Sequence, residues 1–174
     1  MKWLFLSAVF SLTAVSNIYN LSYTDIAGNN VTMSQYQGKW ILIVNIATEA
    51  PEAAVQIREL EQFYQLHKDS VAVIGFPSND FGNEPRAGED IRLLMERTYH
   101  ASFPVAAVSA VKGGNVNPHP VFNWVAHQSE NGRMDIQISK DFQKILIDRS
   151  GNITGFFGAK VRPLSPAITQ AMEN

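Results

Sequence analysis

Hydrophobic positions crowd into two short runs, Trp40 to Ala47 (WILIVNIA) and Val71 to Phe76 (VAVIGF). Both are rich in β-branched residues and show almost no polar alternation, the pattern of strands covered on both faces. Between them the spacing changes: Ala53, Ile57, Leu60 and Tyr64 recur at intervals of three and four. That period predicts a helix from Pro51 to about His67, with proline at a first position where its missing N–H costs nothing. Strand, helix and strand in this order imply a right-handed parallel crossover, so the expected fold class is α/β.

Weaker patterns fill in the rest. Leu21 to Ile26 and Val31 to Met33 flank a Gly/Asn-rich stretch and predict a short N-terminal hairpin. Pro77 to Gly88 is a long loop at a strand's carboxyl end, where open α/β sheets place their sites. Helical spacing resumes from Asp90 to Tyr99 through Ile91, Leu94, Met95 and Thr98, and again from Pro120 to Gln128 with Val121, Trp124 and Val125 as core contacts. Phe103 to Pro118 has no clear period. Asp141 to Asp148 and Asn152 to Phe157 predict a second hairpin around Arg149-Ser150-Gly151, and Ser165-Pro166 opens a closing helix with serine as its cap.

A chain of 174 residues with 45% hydrophobic content suits one domain and one sizeable core. Its net charge of −2 offers no electrostatic footprint for nucleic acid or an anionic membrane. Met1 to Ser16 reads as an export signal: Lys2, an apolar run from Trp3 to Val15, and small residues at Ala14-Val15-Ser16. The run is too short to span a bilayer, so the mature domain is expected at residues 17–174, secreted or periplasmic, with no membrane contact after cleavage. Asn20-Leu-Ser22, Asn30-Val-Thr32 and Asn152-Ile-Thr154 have the form of glycosylation acceptors. The chain has no cysteine, which excludes disulfides and thiol redox chemistry alike.

Taken in order, Lys39 to Ala47, then Gly75 to Gly82 (GFPSNDFG), Phe103-Pro104, His119-Pro120 with Trp124, Phe142 to Gly151 and Pro163-Leu164-Ser165 resemble the glutathione peroxidase family. The resemblance runs from Leu21 to Met172. It implies a glutathione peroxidase-like thioredoxin fold, with a central mixed sheet flanked by helices and an N-terminal hairpin. It also implies hydroperoxide reduction by a cysteine or selenocysteine just after the first buried strand, supported by a glutamine and a tryptophan-asparagine pair. Here those positions hold Ala50, Asp80, Lys140 and Asp141, and the position of a resolving cysteine falls near Glu96.

A methyl group cannot attack an O–O bond or become a sulfenic acid, so Ala50 cannot be the nucleophile. Carboxylates accept hydrogen bonds and raise a neighbouring thiol's pKa, the opposite of what amide and indole donors do. The residues thus point to a family member without thiol peroxidase chemistry, a pseudoenzyme with a binding or scaffold role toward a protein or small-molecule partner. It would need no cofactor and act as a monomer. The same fold would bring Glu49, Asp80, Lys140 and Asp141 to one rim. There they could pair with one another, hold a divalent cation or serve new acid-base chemistry, and a peroxide-response role by descent is a further alternative. His67, His100, His119 and His127 have no ligand spacing, and His119 is expected to order a helix start.

Overall fold

The computed structural model describes residues 15–112 and 117–173. Nearly all of the expected export signal therefore lies outside the described residues. Two antiparallel strands open the domain, β1 (Ser22–Thr24) and β2 (Asn30–Thr32). The central sheet has the order β4-β3-β5-β6, built from β3 (Trp40–Ile46), β4 (Val71–Pro77), β5 (Lys144–Ile147) and β6 (Ile153–Phe157). β3 runs parallel to β4 and antiparallel to β5, so the sheet is mixed.

Alternation along β3 divides the core in two. Ile41 and Ile43 join Ile145, Ile147, Ile74 and Phe76 on one face, packed on Phe122 and Trp124. Leu42, Val44 and Ile46 join Val73 and Leu146 on the other, beneath Ile57, Leu60 and Phe63. Every residue of β3 from Ile41 to Ile46 is buried, which is why its sequence shows no polar alternation. The first layer is carried by α3 (Pro120–Ala126), which a short turn joins to α4 (Gln128–Asn131). The second is carried by α1 (Ala53–His67), α2 (Gly88–Arg97) and α5 (Pro166–Ala171).

Three expectations shift. α1 begins at Ala53, two residues after Pro51, because tight turns carry Ala50 N–H to Ala47 O and Ala53 N–H to Ala50 O. Its buried stripe includes Ala53, Ile57 and Leu60 but continues through Phe63, with Tyr64 only half-buried. The predicted helix from Pro120 to Gln128 breaks at His127, whose extended backbone separates α3 from α4. Val105 and Ala106, in the stretch without a period, form isolated bridges to Gly75 and Asp25 and tie the N-terminal hairpin to the β4 edge.

The described chain also reaches back before Asn17. Ser16 N–H donates to the Glu130 carbonyl at 2.9 Å, and the Ser16 carbonyl accepts the Trp124 indole N–H at 2.8 Å. Val15 packs on Gly132, where a Cβ would meet a Val15 methyl at 2.9 Å. Among the described residues no helix is long and apolar enough to cross a membrane.

Candidate functional site

β3 ends at Ile46, and the turn that follows delivers Ala50 to the threshold of α1. The Ala50 methyl is only 6% exposed and packs with the core cluster that includes Ala53 and Ile57. The turn is fixed from the neighbouring loop. Glu84, buried, accepts Thr48 N–H at 2.6 Å and the Thr48 hydroxyl at 2.8 Å. The same hydroxyl accepts from Arg86 at 2.9 Å, and Arg86 pairs with Glu49 at 3.0 Å. A hydroxyl that donates once and accepts once uses its capacity well, so the segment around position 50 is held rigidly.

The four charged residues placed on one rim by the sequence are each engaged separately. Glu49 is taken by Arg86. Asp80 turns its carboxylate toward the 111–112 segment, where Oδ2 accepts the N–H groups of Val111 and Lys112 at 2.6 and 2.7 Å. Asp141 accepts from the Asn83 amide at 2.7 Å, and its other oxygen is buried without a partner. Lys140 keeps its side chain exposed and contributes backbone to a turn: its N–H donates to Gln143 Oε1 and its carbonyl accepts from Asn45. Among the described residues no three His, Cys, Asp or Glu side chains approach closely enough to hold a metal ion.

The electrostatics of the site come from burial. Burial pushes the Asp141 carboxyl above its ordinary range, opposed by the Asn83 hydrogen bond and reinforced by the charge of Glu52. Lys144 is fully buried and donates to the Phe142 carbonyl at 2.7 Å. Burial lowers its pKa to about 7, and the charge of Glu52 opposes that fall. The site region therefore combines a carboxyl drawn toward neutrality with an amine drawn toward neutrality.

Other expected positions take structural places. His119 caps α3, its Nδ1 accepting Val121 N–H at 3.2 Å while the ring lies 5.3 Å from Phe76. Burial pushes its pKa down. Trp124 and Phe103 are buried core residues. Glu96 pairs with Arg92 at 2.8 Å on the outer face of α2.

Sequence reasoning missed Glu84, Asn83 and Lys144. Glu84 sits in a loop of Gly, Pro and Asn, where a carboxylate reads as solvated. Lys144 carried a usable signal, because strand alternation puts it on the same face as the buried Leu146.

The family model for glutathione peroxidase matches residues 18–126. The chain is 34% identical over 158 residues to the glutathione peroxidase-like peroxiredoxin GPX5 of Chlamydomonas reinhardtii, covering 88% of this chain and 95% of that one. It is 35% identical over 150 residues to the glutathione peroxidase homolog BsaA of Halalkalibacterium halodurans, covering 85% and 93%. The crystal structure of Trgpx in apo form aligns with a TM-score of 0.68 at 28% identity over 92% of this chain and 98% of that one. A thioredoxin-family thiol:disulfide interchange protein from Chlorobium tepidum aligns with a TM-score of 0.65 at 16% identity, over 92% and 95%, a likeness of fold alone. With its thioredoxin-type sheet, its full-length relatives and its complete lack of cysteine, this chain belongs to the glutathione peroxidase family as a member without a thiol.

Proposed function

We propose that this protein is a catalytically silent glutathione peroxidase relative that is exported and serves as a binding module. The observation that carries this is Ala50 at the position where the family resemblance calls for a nucleophile, in a chain with no cysteine to replace it. Thiol peroxidase chemistry needs a sulfur that becomes a sulfenic acid and is then reduced, and neither half of that cycle has an atom to run on here. The remaining site positions agree, since Asp80, Lys140 and Asp141 stand where the family uses hydrogen-bond donors to a thiolate. Export rests on the residue pattern of Met1 to Ser16, and the expected partner is a protein or small molecule met outside the cytoplasm by a monomer.

Hydroperoxide consumption by the purified protein with glutathione or thioredoxin as reductant tests the proposal. It should match a protein-free blank, and saturable turnover would overturn it.

A second reading has one specific observation in its favour: the buried, unpartnered oxygen of Asp141 beside a loop that no longer serves a thiol. A carboxyl whose pKa is raised holds its proton to higher pH than an ordinary one, the direction that acid-base chemistry needs. That reading requires Asp141→Asn to change the binding or turnover of a ligand, whereas Asp80→Asn should leave both unchanged because Asp80 is committed to backbone.

A further inference from the structure

A concavity of about 810 Å³ lies between the β5–β6 turn, the end of α5 and the segment after α4. Trp40 and Met172 form part of its wall, and Arg133, Arg149 and Ser150 stand around it. Trp40 begins β3 whereas Ala50 follows its other end, so the length of that strand, roughly 20 Å at 3.3 Å per residue, separates this groove from the former thiol position. The groove is therefore independent of whether peroxidase chemistry has been lost.

Its charges lean positive, two arginines against one aspartate. Among the described residues neither the Arg133 nor the Arg149 side chain has an ion-pair or hydrogen-bond partner, and both are exposed. Asp148 also lines the groove, but its Oδ1 is directed into its own turn, where it accepts the N–H groups of Ser150 and Asn152 at 2.8 and 2.9 Å. Two unpaired guanidinium groups remain, suited to bidentate contact with a carboxylate, sulfonate or phosphate. Trp40 and Met172 are half-buried and supply an adaptable apolar surface.

We propose that this groove binds a small organic anion with a flat apolar body, the acid group held by Arg133 and Arg149 and the body lying against Trp40 and Met172. The volume lies within the usual range for small-molecule sites.

1-Anilinonaphthalene-8-sulfonate is the probe, and its uncharged analogue N-phenyl-1-naphthylamine the control, each titrated by fluorescence into the protein at low and high salt. Saturable binding of the sulfonate should weaken at least tenfold in R133Q/R149Q and should weaken with added salt. The double variant should keep the wild-type circular dichroism and melting temperature, since both side chains are exposed and unpaired. Trp40→Phe should retain binding but reduce energy transfer from indole to probe, with Trp124 left as a donor. Equal affinity in wild type and double variant, equal affinity for the uncharged analogue, or absence of saturable binding would each overturn the proposal.

Discussion

Asn45 and Lys140 are joined across the site: the Asn45 amide donates to the Lys140 carbonyl at 2.9 Å while its oxygen accepts Gln143 N–H at 3.0 Å. One fully buried side chain on the central strand thus holds the turn carrying Asp141 at both ends. Its backbone helps as well, because the Asn45 carbonyl accepts the N–H of Phe142, a residue in the left-handed region at φ 56°. Asn45→Ala should leave buried groups at 140 and 143 unsatisfied and cost about 1–3 kcal/mol in urea unfolding. A loss under about 0.5 kcal/mol would mean that the turn holds itself.

Lys144 makes stability depend on pH. Its folded pKa of about 7 lies below the ordinary 10.5, so between those values the unfolded chain binds more protons than the folded one. Stability therefore rises with pH from about 7 to 10.5, and the full penalty is present below 7. At 1.36 kcal/mol per unit, the 3.5-unit interval sets an upper bound of about 5 kcal/mol. Lys144→Met should be more stable than wild type at pH 7 and should lack this rise, which denaturant titrations at pH 7 and 9 would reveal.

The Thr48 hydroxyl bridges Glu84 and Arg86. Thr48→Val keeps the shape and removes both bonds, leaving a buried carboxylate with one donor fewer. A loss of about 1–3 kcal/mol is expected, with greater hydrogen exchange around residues 48–50. Glu49→Gln removes only the exposed pair to Arg86 and should cost within about 1 kcal/mol.

The contacts of Ser16 predict that a chain beginning at Val15 melts higher than one beginning at Asn17. Removing Ser16 orphans the Trp124 indole N–H and breaks the pairing with Glu130. The difference should be roughly 2–8 °C by calorimetry, given about 2–4 °C per kcal/mol at this size. Equal melting temperatures would show that the segment adds nothing.

Ala50→Cys alone should not create a peroxidase. The new thiol would enter a mostly buried position, where burial raises a thiol's pKa against the lowering expected at the start of α1. Its thiolate absorbance at 240 nm should appear at or above the ordinary value of about 8.5. Hydroperoxide turnover should stay at the blank, and adding Asp141→Asn should lower the thiol pKa.

Much of the frame was legible because β3 and β4 are buried on both faces, which leaves unbroken apolar runs with little room for another interpretation. The stripe of α1 was legible only in part. Gln56 and Glu59 are buried there because the 158–165 loop covers them, Gln56 donating to the Ala159 carbonyl and Glu59 pairing with Arg162. Nothing local in the helix announces that cover. The family resemblance nominates site positions but does not give their partners. Asp80 reaches Val111 and Lys112 only because the 111–112 segment comes back alongside it, and a charge read from sequence alone looks free.

Ala50, Asp80, Lys140 and Asp141 share one further property. Ala50 falls between β3 and α1, Asp80 between β4 and α2, and Lys140 and Asp141 before β5, so each lies in a connection and none in a strand. None of the four residues takes part in the β4-β3-β5-β6 ladder. The frame and the site positions thus rest on different parts of this chain, the sheet below and the connections at its ends.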